Sequence, residues 1–132
     1  QMIMHYAGAF RPLLMTRNGE LKKISPDRMP IGIHYKESEH FTDHEIKIER
    51  GDRIYLFSDG ITDQFGFDED GNLHKFTAKR FGMLVNETSQ LPFSAQQSKI
   101  EMEFDEWRRE GLLNSNGEYE QTDDAVLVGI GI

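Results

Sequence analysis

An α+β chain, antiparallel strands covered by amphipathic helices, is what this sequence predicts, and three patterns predict it. Met2, Met4 and Tyr6, and later Ile46 and Ile48, alternate with other residues at the period of half-buried strands. Ile54-Tyr55-Leu56-Phe57 and Ala125-Val126-Leu127-Val128-Gly129-Ile130 are short apolar runs bounded by turn residues, the mark of strands covered on both faces. Between them, Phe81, Leu84 and Val85, and then Ile100, Phe104 and Trp107, recur at helical intervals.

Taken in order, the strand pattern from Met2 to Ile24 is broken at Asn18-Gly19, a pair that tolerates the positive φ of a hairpin turn. Ser25 to Thr42 is rich in Pro, Gly, Ser and His without a periodic apolar face and reads as an irregular connection. Arg50-Gly51-Asp52 turns the next half-buried strand into the run 54–57, which belongs in the middle of a sheet. Gly66 to Lys75 reads as a polar loop or short hairpin. One helix starts near Thr77 and is closed by Pro92; a second opens with Ser94 and Gln97 in capping-box spacing. Gly111 to Gln121 reads as a polar connection, and 125–130 as a final buried strand.

The chain has 132 residues, enough for one domain spanning 1–132. Asp and Glu total 23 against 15 Lys and Arg, a net charge of -8, which argues against nucleic acid as partner. With no cysteine there is no disulfide framework and no thiolate zinc site, so a soluble, cytoplasmic protein is the expectation. No apolar run approaches the roughly 20 residues of a membrane span. Gln1 leads straight into apolar sequence, from which a fragment of a larger protein is expected.

Chemistry concentrates at two places. Ile54 to Asp63 is an apolar strand that delivers Asp59 at its C-terminal end, followed by Gly60 and, soon after, by Asp63. Gln121-Thr122-Asp123-Asp124 sets two carboxylates just before the last strand. If strands 53–58 and 125–130 lie antiparallel side by side, Asp59 and Asp123 share one rim. Carboxylates without Cys or a positioned His favour hard cations such as Mg²⁺ or Mn²⁺. The plainer alternative stays open: Asp59 caps a short helix starting at Ile61, and Asp123 is an ordinary turn acid.

Other motifs carry less. Aligning Gly71 with the turn glycine of a calcium loop puts Gly66 first and Thr77 last, which rejects an EF-hand. His40 and His44 lack the Glu of a zinc-protease motif, and His5 reads as a strand residue. Phe104 and Trp107 read as core. There is no Gly-rich phosphate loop with a following Lys and no Gly-x-Ser-x-Gly.

Tyr6-Ala7-Gly8-Ala9, Pro12-Leu13, Met29-Pro30-Ile31-Gly32, Gly51 through Gly60, Asp63-Gln64-Phe65-Gly66 and Gln121-Thr122-Asp123-Asp124 occur in that order. Together they resemble the stage II sporulation protein E-type phosphatases, a bacterial branch of the metal-dependent (type 2C) serine/threonine phosphatases. The resemblance covers nearly the whole chain but maps to roughly the C-terminal half of the family's catalytic domain, so a single, incomplete domain is expected.

The resemblance implies an antiparallel β-sandwich flanked by helices. It implies that Asp59 and Asp123 are ligands of two Mn²⁺ or Mg²⁺ ions, with Gly60 as backbone beside them. Asp63 and Asp124 would support those ligands or hold a more weakly bound ion. The implied reaction is hydrolysis of phosphoserine or phosphothreonine by metal-activated water, without a protein nucleophile or covalent intermediate. The implied partners are a phosphorylated regulatory protein, such as an anti-sigma-factor antagonist, and an upstream sensor domain. The family's other ligands lie upstream, so the isolated chain is expected to be inactive. The competing reading is a non-catalytic regulatory or dimerising module, and the sheet surface that half of a two-sheet domain leaves uncovered predicts homo-oligomers. Phe10-Arg11 departs from the His-Asn of many members, and loop 66–75 is a candidate flap over the substrate.

Overall fold

The computed structural model describes residues 2–33, 40–114, 121 and 123–132. Gln1, the 34–39 stretch of the irregular connection, 115–120 of the second connection and Thr122 lie outside the described residues. The chain forms two compact units, Gln1–Leu56 with Val128–Ile132, and Phe57–Leu127.

In the first unit, the alternating N-terminal residues form β1 (Met2–Tyr6). Asn18 and Gly19, at φ 52° and 80°, then turn β2 (Leu13–Arg17) into β3 (Glu20–Ile24), with Arg17 opposite Glu20. β4 (His44–Ile48) pairs with β1, and β5 (Arg53–Phe57) pairs with β2, both antiparallel. The core is built from Leu13, Met15, Ile24 and Ile54 of one sheet and Ile46 of the other, with Met4, Tyr6 and Ile48 packed against them. This is the predicted sandwich of antiparallel sheets.

The last strand, β8 (Leu127–Gly131), completes a four-stranded sheet in the order β3-β2-β5-β8. Ser58 N–H donates to the Val126 carbonyl and Gly51 N–H to that of Ile132, so β8 runs antiparallel to β5 as the sequence predicts. Its predicted burial is wrong. β8 ends the sheet, Val128 and Ile130 are 45% and 44% exposed, and Leu56 beside them is 40% exposed. A continuous apolar run reports a strand's chemistry; burial also needs a second layer above it, and the two-stranded β1-β4 sheet covers only part of the four-stranded one.

A buried ion pair ties this unit together. Asp52 is 1% exposed, and a carboxylate so buried needs partners. Arg17 grips it with two bonds, from Nε at 2.8 Å and Nη2 at 2.6 Å, and Glu49 N–H adds a third at 2.8 Å. The same guanidinium reaches the Lys47 carbonyl at 2.9 Å and the Glu49 carboxylate at 3.1 Å. One arginine thus joins β2 to β4 and to the turn that starts β5.

In the second unit, the chain enters the short helix α1 (Asp59–Thr62), then a hairpin of β6 (Phe65–Phe67) and β7 (Leu73–Lys75). The hairpin is the predicted one for 66–75. Its loop is closed by Asp68, whose carboxyl is held below its ordinary range chiefly by the Asn72 N–H. α2 (Ala78–Thr88) starts where predicted, with Thr77 Oγ1 accepting from Arg80 N–H, and buries Phe81, Leu84, Val85 and Thr88. α3 (Phe93–Asn114) runs past Gly111, correcting the expected connection there. The Ser94–Gln97 capping box does not form, because Gln96 N–H already closes the first turn on the Pro92 carbonyl and Gln97 donates to Glu101. Gln96 Nε2 instead bonds Thr88 Oγ1 at 3.1 Å, linking the two helices. Phe76 meets Phe104 and Trp107 edge-on, each at 5.8 Å.

The Arg17 hydrogen bonds hold the Asp52 carboxyl below its ordinary range, although burial pushes the other way. The stabilisation is therefore complete above about pH 4, where an unfolded Asp is ionised, and is lost as pH falls through the lower folded value. Asp52→Asn is expected to reduce unfolding free energy at pH 7 by about 2 kcal/mol, typical of hydrogen bonds between charged groups. The deficit should shrink below pH 4, and urea melts at pH 7 and pH 3 measure both.

Candidate functional site

Asp59 is the first residue of α1, two residues earlier than the Ile61 start that the sequence offered as the plainer alternative. Ser58 sits in extended conformation at the N-cap, yet its hydroxyl does not cap the helix. It bridges to the other acidic segment: Ser58 Oγ donates to the Asp124 carbonyl at 2.7 Å and accepts from Val126 N–H at 2.9 Å. This supplies the local pairing that starts β8.

Gly60 makes the approach closer still. A Cβ on Gly60 would lie 2.3 Å from the Asp124 carbonyl oxygen and 2.7 Å from its carbonyl carbon, nearer than any side chain allows. Asp59-Gly60 and Asp123-Asp124 are therefore brought to one rim, as the antiparallel pairing implied. Gln121 holds the same segment from behind, its Nε2 on the Asp123 carbonyl at 2.9 Å and its Oε1 accepting from Arg108 of α3 at 2.9 Å.

The side chains at this rim are engaged to different degrees. Asp59 is half-buried, and Asp123 and Asp124 are exposed. Asp123 Oδ1 accepts from Asp124 N–H at 2.8 Å. Asp63 lies one helical turn after Asp59, its N–H on the Asp59 carbonyl at 2.8 Å and its carboxylate 3.1 Å from Lys75 Nζ at the end of the 66–75 hairpin. Ser58 and Gln121 lie within the motifs read from sequence but had no role there, and neither did Lys75 or Arg108. Ser58 had a legible signal, a small hydroxyl ahead of Asp-Gly at a strand end; Lys75 and Arg108 act across folds of the chain that spacing does not reveal.

Carboxylate and carbonyl oxygens are the donors of hard cations, which take six or more of them. Among the described residues no group of three or more His, Cys, Asp or Glu stands close enough together to hold a metal ion. The donor type fits a divalent cation; the donor number does not, and no step of a reaction can be routed through such an ion from these residues alone.

Replacing Gly60 tests whether this approach organises the rim. Gly60→Ala is expected to cost about 1–3 kcal/mol, the range for overpacked sites, because the obstructing atoms are backbone. Amide exchange at Val126 should accelerate, since its acceptor is Ser58 Oγ two residues away.

No curated protein matches the chain. Among solved structures, the SiaA-PP2C domain of Pseudomonas aeruginosa superposes with a TM-score of 0.78 at 23% identity, covering 98% of this chain and 46% of that one. The PP2C phosphatase domain with a fragment of the regulatory domain of the cell fate determinant SpoIIE from Bacillus subtilis gives 0.61 at 16% identity, with 95% and 32% covered. The phosphatase domain of the same determinant gives 0.51 at 15% identity, with 94% and 49% covered. At these identities the likeness is one of fold, and the chain spans less than half the length of each. The family model described as Stage II sporulation protein E (SpoIIE) matches residues 1–132, and the chain belongs to that family.

Proposed function

We propose that this chain is the C-terminal half of a metal-dependent phosphatase domain that hydrolyses phosphoserine or phosphothreonine on a bacterial regulatory protein. The observation that carries the reading is the approach of Asp59-Gly60 to Asp123-Asp124, which gathers acids from two distant segments of the sequence. Asp59 and Asp123 are the proposed ligands, with Asp63 and Asp124 in support, and an upstream half contributes the missing donors. Two Mn²⁺ or Mg²⁺ ions supply an activated water and neutralise phosphate charge in chemistry of this kind. The residues present hold the two acidic segments together, and Lys75 pairs with Asp63 at 3.1 Å beside them.

The test compares hydrolysis of a phosphoserine peptide with Mn²⁺ by this chain alone and by a version extended upstream by roughly one hundred residues, the shortfall from a larger single domain. Turnover is expected only in the extended version. There, Asp59→Asn should lower it by on the order of a hundredfold or more, since even the outer partners of metal ligands are worth about 10–100-fold. Full activity in Asp59→Asn sinks the ligand assignment, and inactivity of both versions sinks the phosphatase reading.

The second reading, an interaction module without turnover, draws on the exposed Leu56, Val128 and Ile130. On either reading the bare sheet face makes the isolated chain self-associate. Light scattering should show concentration-dependent dimers or larger species for this chain. The half-domain reading adds that the upstream extension abolishes them; a monomer at high concentration without the extension counts against it.

A further inference from the structure

A groove of about 620 Å³ runs between α2 and α3 and past β7, within the size of ligand clefts, about 300–1,000 Å³. Its floor is apolar, formed by the buried Phe76, Leu84 and Trp107. Its ends differ in charge. At one end Lys99 donates to Glu103 at 2.7 Å and also feels Glu106 and Glu87, so acids outnumber the cation there. Asp68, another lining acid, is occupied by its own loop and lies 3.1 Å from His74.

The other end is cationic. Arg80 lies over the Trp107 ring at 4.3 Å from its centroid and 5.5 Å from that of Phe76. Among the described residues neither Arg80 nor Lys79 has a carboxylate partner, and both are exposed. The helix itself does not favour their charge, because they occupy the first turn of α2, where a helix favours acids, and that turn has none. A guanidinium stacked on an aromatic ring is also pre-organised, with in-plane N–H donors left for another group.

This end adjoins the acidic rim. Lys75 lines the groove and its Nζ lies 3.1 Å from Asp63, four residues after Asp59. A chain of net charge -8 repels an acidic partner over most of its surface, so a cationic groove end decides where such a partner approaches. We propose that this groove docks an acidic segment of the protein substrate, adjoining the phosphorylated residue, with Lys79 and Arg80 as its contacts. The proposal rests on the phosphatase reading for the identity of the partner and on the groove for its chemistry.

Two peptides with a central phosphoserine, one flanked by Asp and Glu and the other by Asn and Gln, test it. Binding to this chain without metal is followed through the emission of its single tryptophan, Trp107, on the groove floor. The acidic peptide is expected to bind at least about tenfold more tightly at low salt, an advantage that shrinks as salt screens it. Lys79→Glu, at an exposed side chain without a packing role, should remove most of that advantage and leave the neutral peptide unaffected. Arg80→Gln should do the same, while Arg80→Lys retains part of it.

Equal affinity for the two peptides, or an undiminished preference in the Lys79→Glu, Arg80→Gln double variant, overturns the proposal. So does peptide exclusion by a second copy of the chain, seen as a dimer that Lys79→Glu dissociates. In the extended domain the two ideas separate. Acidic preference without Mn²⁺-dependent hydrolysis leaves the groove standing and removes the phosphatase reading; hydrolysis without acidic preference does the reverse.

Discussion

The rim depends on a contact in which side chains are kept out. Gly60 lies against the Asp124 backbone with no room for a Cβ, and Ser58 Oγ is both donor and acceptor to the same segment. Both conditions come from the start of α1, where β5 ends. A hydroxyl that capped its own helix would leave Val126 N–H without this acceptor. A larger residue at 60 would push the acidic segment away from Asp59. The approach of Asp59 to the Asp123-Asp124 segment thus rests on a glycine and a small hydroxyl at the start of α1.

Charge is managed by local cations on an acidic chain. Asp52, buried, is matched by the fork of Arg17 with hydrogen bonds to both oxygens, so its desolvation is offset in place. Asp63, exposed, meets Lys75 through one bond that solvent and salt weaken. The first arrangement suits a permanent tie within a sheet unit. The second is loose enough for a cation or a partner to compete, and it links the 66–75 hairpin to the acidic rim. Arg108 plays a comparable part for Gln121, reaching from α3 to steady the segment ahead of Asp123.

Much of this was legible in the sequence because the signals were local. Asn18-Gly19 encodes its turn in two residues, and the spacing of Phe81, Leu84 and Val85 encodes the buried face of α2. The Asp59 and Asp123 rim was legible for a different reason: antiparallel pairing of two apolar runs leaves few places for their ends to meet. What escaped was decided by competing partners, some next door and some at a distance. Ser94 and Gln97 have capping spacing, but Pro92, with no N–H of its own, supplies the carbonyl that Gln96 uses, so the helix starts at Phe93. Lys75 and Arg108 look like any exposed cation until the hairpin and α3 deliver them to Asp63 and Gln121.

The exposure of β8 follows from how far one sheet extends over the other. Ile54 lies in the core with Ile46 of β4, whereas Leu56, two residues on and on the same face of β5, is bare. Cover ends between them, and on the neighbouring end strand β8 Val128 and Ile130 are exposed as well. Their apolar run is written for a buried strand, so the sequence and the environment disagree at the same edge. The chain matches less than half the length of the solved domains that share its fold. On the proposed half-domain reading both gaps have one cause, because further strands beside β1-β4 would cover Leu56, Val128 and Ile130 while the same missing half brings the remaining metal donors. The bare sheet face and the incomplete donor set then become two measures of one absence, one apolar and one ionic, and a single upstream extension should repair both.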